Sequence, residues 1–313
     1  MQIHSNLHSL PRFKNAVLTV GSFDGVHVGH QKILAQLREE ATKIAGETVL
    51  LTFNTHPRLM LMRQDSGIAL LNTWEEKIKL LNAQGLDHLV VVDFNPAFAS
   101  LEPEQYIKEF LVQKIKPAII IIGYDHKFGR ERKGDIHLLK SLSDAHHYKV
   151  QEISEEVLHD VTISSTKIRR ALQSGEVAYA SDLLGYAYEL QGKVVKGKQL
   201  GRTIGYPTAN IRLQDDHKLV PGHGVYAVNV FVPSSNMELK GMLNIGNNPT
   251  VNALTTTIEV NIFDFKEDIY DEIITISLIK KMREVIRFDG LSALKNQLAT
   301  DEINARKILS AAD

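Results

Sequence analysis

The 313-residue sequence has no cysteine and a single tryptophan, and neither charge sign is in excess. Without cysteine there is no disulfide framework, no thiol nucleophile and no Cys-ligated zinc. Lys plus Arg number 36 and Asp plus Glu 37, a formal charge of −1. A protein that grips a long nucleic-acid duplex usually carries a basic excess, so no nucleic-acid partner is expected. Long apolar runs are missing as well. The longest, Leu89–Val92 and Ala118–Ile122, fall far below the ~20 residues that span a bilayer, so no membrane partner is expected. Met1 to Phe13 lacks the apolar stretch of a secretory signal, and a cytoplasmic location is the expectation. What is present is a globular composition, 43% hydrophobic and 23% charged, in a chain long enough for two domains.

The first 180 residues alternate strand-like and helix-like stretches. Apolar runs at 16–20, 48–53, 89–92 and 118–122 are separated by amphipathic segments at 31–45, 74–83 and 102–113. A helix at 135–145 and a strand at 149–153 follow. Fully apolar strands between amphipathic helices predict a parallel sheet covered on both faces. Past Gly185 the pattern changes. Alternating segments at 189–196, 225–232, 239–245, 256–263 and 273–279 are punctuated by Gly, Pro and Asn, which predicts an antiparallel sandwich or barrel. A last helix covers 291–309. The expected domains are residues 1–185 and 186–313.

In the first domain, Gly21-Ser22-Phe23-Asp24-Gly25-Val26-His27-Val28-Gly29-His30 stands where the first strand gives way to the first helix. In an open parallel sheet that rim binds ligands. Glycines let backbone approach phosphate, and a helix N-terminus favours an anion. Two imidazoles three residues apart can donate N–H bonds to phosphate oxygens that gain charge during substitution. The bland alternative is a helix-capping pair. A zinc site is disfavoured, since no third ligand follows at metalloprotease spacing. Ile163-Ser164-Ser165-Thr166-Lys167-Ile168-Arg169-Arg170 opens another helix with three hydroxyls and a local charge of +3, either a phosphate cradle or a plain cap with solvated cations. Gly123 to Gly129, with Asp125 and His126, follows the fourth strand. Phe53 to Arg58, with Thr55 and His56, follows the second.

In the second domain, Gly201-Arg202-Thr203-Ile204-Gly205-Tyr206-Pro207-Thr208-Ala209-Asn210 is the densest motif. Thr208 and Asn210 offer two neutral oxygens suited, with phosphate oxygens, to Mg²⁺; a strand-connecting turn is the competing reading. Gly192 to Lys198 imitates a P-loop, but Gln199 replaces the Mg²⁺-binding hydroxyl and no helix pattern follows. Alternation places Glu259, Asn261 and Phe263 on one face of a strand, with Ile258, Val260 and Ile262 on the other. A strand glutamate is ordinarily surface. Facing a loop that holds ATP, it can take a proton from a primary alcohol.

Together these stretches resemble the H-x-G-H nucleotidyltransferases in the first domain and the riboflavin kinases in the second. The combination resembles the bacterial bifunctional riboflavin kinase/FAD synthetase family along essentially the whole chain. The resemblance implies a Rossmann-like nucleotidyltransferase sheet followed by a six-stranded antiparallel barrel with a C-terminal helix. It implies ATP as co-substrate with Mg²⁺, phosphorylation of riboflavin to FMN in the barrel, and adenylylation of FMN to FAD with release of pyrophosphate in the sheet domain. It assigns Gly21, Phe23, Asp24, His27, His30, Asp125, Ser164, Ser165, Thr166 and Arg169 to ATP in the first domain, His27 and His30 being catalytic. Gly201, Pro207, Thr208 and Asn210 would hold ATP and Mg²⁺ in the second, with Glu259 as base and Asn244 and Arg283 near flavin. His126 and Thr55 depart from the family's usual Phe and Pro. They leave open a kinase-only enzyme with another acceptor in the first domain. A non-catalytic flavin or nucleotide sensor is the other alternative; such a sensor has no need of Glu259. Oligomeric state is not legible.

Overall fold

The computed structural model describes residues 1–54, 69–123, 126–153, 163–197, 200–250 and 253–311. They form two compact units, residues 1–164 and 165–313.

The first unit is built on a six-stranded parallel sheet. Its strands are β1 (Gln2–His4), β2 (Val17–Val20), β3 (Thr48–Phe53), β4 (His88–Val92), β5 (Ile119–Ile122) and β6 (Lys149–Glu152), in spatial order β1-β4-β3-β2-β5-β6. β2, β4 and β5 are buried along their whole length, which is why they read as continuous apolar runs. Alternate residues serve opposite faces. Val17, Leu50, Leu89 and Ile121 pack with Leu34 and Leu37 of α1 (Val28–Lys43) and Leu81 of α2 (Trp74–Ala83). Leu18, Leu51, Val90 and Ile120 pack instead with Ile107 and Phe110 of a π-helix (Tyr106–Ile115) and Leu139 of α3 (Ile136–His146). The covering helices change face where the strand order reverses, at β2 between β3 and β5. That reversal opens a crevice at the carboxyl ends of these strands.

The second unit is a closed antiparallel barrel in the order β10-β11-β8-β7-β12-β9. Its strands are β7 (Tyr188–Val195), β8 (Ala209–Leu213), β9 (Gly224–Val232), β10 (Met237–Thr250), β11 (Ala253–Ile262) and β12 (Ile273–Arg283). Tyr226, Leu243 and Val260, fully buried, belong to the inner face. Two helices precede the barrel, α4 (Ser165–Ser174) and α5 (Val177–Leu184), and α6 (Leu291–Ser310) follows it. Ala305 and Leu309 of α6 pack on Ala227, Met242 and Phe263, closing part of the outer surface. The parallel sheet, the six-stranded barrel and the final helix match the fold expected from the sequence. The expected division at 185/186 differs from the compact units. α5 packs against β7 and β12, and Gly222 N–H donates to Leu172 O of α4 at 2.8 Å, so residues 165–184 group with the barrel.

Candidate active sites

The turn after β2 is strained by design of the sequence. Phe23 and Val26 adopt positive φ (47° and 35°), a region unfavourable for bulky and β-branched residues. A Cβ on Gly21 would lie 2.9 Å from the Phe23 ring, so only glycine admits the ring beneath the turn. The turn delivers His27 to the N-cap of α1, where its Nδ1 accepts the His30 N–H at 3.4 Å. The His27 and His30 rings stack with centroids 3.7 Å apart, and Phe23 lies 4.6 Å from His30 on centroids. Both imidazoles are kept neutral. Burial pushes His27 down to about 4. Burial, then the His27 and Lys77 charges, hold His30 well below the usual range. His30 Nδ1 is buried with no hydrogen-bond partner among the described residues. A buried ring nitrogen left unsatisfied beside a helix N-terminus fits an anionic ligand that brings its own oxygens. Asp24 has a bracing role: its buried carboxylate accepts the Leu71 N–H at 3.0 Å. Ser164 immediately precedes α4, and Ser165, Thr166 and Arg169 lie in its first turns, within the second compact unit. Asp125, Thr55 and His56 lie outside the described residues.

In the barrel, strand register assembles what the sequence scatters. Asn210 opposes Glu259, Glu259 opposes Asn244, Asn244 opposes Val225, and Val225 opposes Arg283. Directly opposed residues share a face, so four predicted side chains from four motifs fall on one line across β8, β11, β10, β9 and β12. The line lies on the outer face, since Leu243 and Val260, one residue removed, point into the core. The Gly201–Asn210 loop is fastened beside it. Asn261 Nδ2 donates to Pro207 O at 2.7 Å, one pleat from Glu259 on the same face. A Cβ on Gly201 would collide with the Tyr206 carbonyl, so glycine is required where the loop turns back on itself. Thr208 and Pro207 also border a cleft at the barrel mouth, floored by Val260 and Ile262 and rimmed by Asp268 and Tyr270. Arg283 has a protein partner: Nε and Nη2 grip the buried Asp301 carboxylate of α6 at 2.6 to 3.1 Å. No cluster of three His, Asp or Glu side chains suited to a metal occurs among the described residues. The hard oxygens of Thr208 and Asn210 beside the Glu259 carboxylate fit Mg²⁺ that arrives with a nucleotide's phosphates.

The FAD synthetase family model matches residues 10–167 and the riboflavin kinase model matches residues 184–309. A bifunctional riboflavin kinase/FMN adenylyltransferase from Haemophilus influenzae is 36% identical over 99% of this chain and 100% of its own. One from Escherichia coli is 37% identical over 96% and 95%. This chain belongs to the bifunctional riboflavin kinase/FMN adenylyltransferase family. A crystal structure from Streptococcus pneumoniae, described as a macrolide-efflux protein, superposes with a TM-score of 0.87 at 32% identity, covering 97% of this chain and 98% of that one. The efflux description stays with that protein; no helix among the described residues here is long and apolar enough to cross a membrane.

Within this two-domain family architecture, three side chains escaped the sequence reading. Asn261 shares the face of Glu259, and its amide holds the Pro207 carbonyl, a contact that alternation alone does not reveal. Glu302 of α6 lies by Tyr206 of the same loop, and Arg306 holds Glu302 in place. Burial, then the nearby Glu302 charge, raise the Tyr206 phenol above its usual range, while Arg306 bridges Glu302 and Asp264 and lies over the Phe263 ring. Their only signal was an i, i+4 acid–base pair, which ordinarily marks a solvated helix face.

Proposed function

We propose that the barrel unit phosphorylates riboflavin and that the sheet unit adenylylates the resulting FMN. In the first step the riboflavin 5′-oxygen attacks the γ-phosphorus of ATP, the bond to the ADP oxygen breaks, and Glu259 takes the hydroxyl proton. Thr208 and Asn210 hold the nucleotide end, and Mg²⁺, when bound there, neutralises charge on the phosphate oxygens. Asn244, on the far side of Glu259 from Asn210, orients the flavin's polar chain. In the second step an FMN phosphate oxygen attacks the α-phosphorus of ATP and pyrophosphate leaves. FMN phosphate is already ionised, so little acid–base help is needed. Positioning and charge stabilisation carry the step, with N–H donors from His27 and His30. Gly21 and Phe23 shape the turn that presents them; Ser164, Ser165, Thr166 and Arg169, at the start of α4, are further candidates for phosphate oxygens. Asp24 acts by fixing the turn, and Asp125 lies near the nucleotide. Arg283 acts on the flavin side through its hold on α6. We place both steps in the cytoplasm, where ATP is supplied, with riboflavin, FMN and ATP as the small-molecule substrates.

The observation that carries this reading is the register Asn210–Glu259–Asn244, which sets one carboxylate between two amides and beside the tethered Thr208 loop. Incubating the purified chain with riboflavin, ATP and Mg²⁺ and resolving the flavins tests it. FMN should appear first and FAD after it. Persistent FMN without FAD would leave a kinase-only enzyme, and unchanged riboflavin would overturn the assignment.

A further inference from the structure

Lys77 lies outside every motif, on α2, yet it is buried beneath the Gly21–His30 turn. Its Nζ donates to Thr52 Oγ1 at 2.8 Å, and Thr52 Oγ1 donates to the Ser22 carbonyl at 3.3 Å. That chain of two bonds runs from α2 through β3 into the turn that carries the histidines. The ammonium also lies 5.5 Å from the Trp74 ring centroid, a cation–π distance. Burying an ammonium is costly unless charge and acceptors compensate. Burial draws the ammonium down to about 8, and Asp24, itself buried and tied to Leu71 N–H, supplies the opposing charge that keeps it a cation at neutral pH. A lysine that merely filled volume would be better replaced by an apolar side chain, whereas here the cation faces the acidic residue and the imidazole pair of one turn.

We propose that Lys77 is a positioning residue of the adenylyl-transfer site: it ties α2 to the histidine-bearing turn through Thr52 and places a buried positive charge behind the imidazoles, where a triphosphate binds. The inference rests on the reading of the first unit as an FMN adenylyltransferase. The charge also works on the rings. The groups that face Lys77 are Asp24 from the turn and His30, stacked on His27, from α1; Thr52 of β3 and Trp74 of α2 carry no charge. A cation there opposes protonation of His30, in the direction found for that ring. The imidazoles remain neutral donors with no protonation step before nucleotide binds.

The test uses the full chain with Lys77→Met, Lys77→Arg and Thr52→Val. FAD formation from added FMN is measured with kcat and KM for ATP separated, riboflavin kinase activity of the same samples serves as an internal control, and the imidazoles are titrated by NMR. Lys77→Met should lower kcat/KM for ATP about 100-fold, leave kinase activity within about twofold, and move the His30 titration to higher pH. Lys77→Arg should restore most of the rate, and Thr52→Val should cost about tenfold, mainly in KM. A folded Lys77→Met chain with an unchanged rate and unchanged imidazole titration overturns the proposal. If Lys77→Met does not fold, Thr52→Val decides, since it keeps the ammonium and cuts the link: unchanged KM and imidazole titration would overturn the proposal. Wild-type chain that makes no FAD would instead refute the adenylyltransferase reading, and the imidazole titrations would still test the role of Lys77.

Discussion

The two sites are made by opposite means. In the sheet unit, the candidate site sits where strands end: a strained turn presents two stacked imidazoles, and burial holds both neutral. In the barrel unit, the candidate site sits inside the strands: Asn210, Glu259, Asn244 and Arg283 are aligned by ladder register and half-buried. One site is tuned by environment, the other by alignment. A loop site can hold groups in an unusual protonation state because nearby packing surrounds them. A strand site keeps ordinary side chains and obtains precision from a closed hydrogen-bonded wall.

The comparison breaks most visibly at the reactive side chains. Glu259→Gln should reduce FMN formation by about 10²- to 10⁴-fold while added FMN is still converted to FAD. His30→Ala should reduce FAD formation by about 10²- to 10³-fold while FMN accumulates. If either change abolished both activities in a folded chain, the two-site division would fail. A smaller effect separates the scaffolds. Asp301→Asn strips the bidentate partner from Arg283 and should destabilise the barrel unit by about 3 kcal/mol, seen as a lower melting temperature of that unit alone. The last effect is reached only as pH falls. His27 is neutral in the folded chain down to about 4, whereas the unfolded ring titrates near 6.5. Between those values the unfolded chain binds more protons, so stability is complete above about 6.5 and falls by up to about 3 kcal/mol as pH drops toward 4. Calorimetry from pH 7 to pH 4.5 should show the sheet unit weakening; a flat profile would remove environmental tuning from the comparison.

The sheet unit was legible because fully buried parallel strands leave continuous apolar runs. β1 was not, since Gln2 and Ile3 are exposed on an edge and carry no such run. The stretch read as an ordinary helix at 102–113 is a π-helix over Tyr106–Ile115, closed by Lys116 N–H to Leu111 O, a five-residue step that apolar spacing does not reveal. α5 also went unseen, eight residues being too few for a periodic signal. In the barrel, β8 was hidden within the Gly201–Asn210 motif, whose last two residues enter a strand. The alternation around Glu259 was readable, but its neighbours were not, because register between distant strands is a tertiary fact. Lys77 was invisible for a related reason: a lysine beside glutamates on a charged helix reads as solvated surface until packing buries it.

His27 divides one ring between two duties. The nitrogen that accepts from the backbone of His30 carries no proton, so the neutral ring must bear its hydrogen on the far nitrogen. Folding therefore selects the tautomer in advance, so the ring's donor is fixed on Nε2 before any nucleotide arrives. An asparagine there imitates only the inner nitrogen's place and a glutamine only the outer one's, so neither amide reproduces both ends of the imidazole.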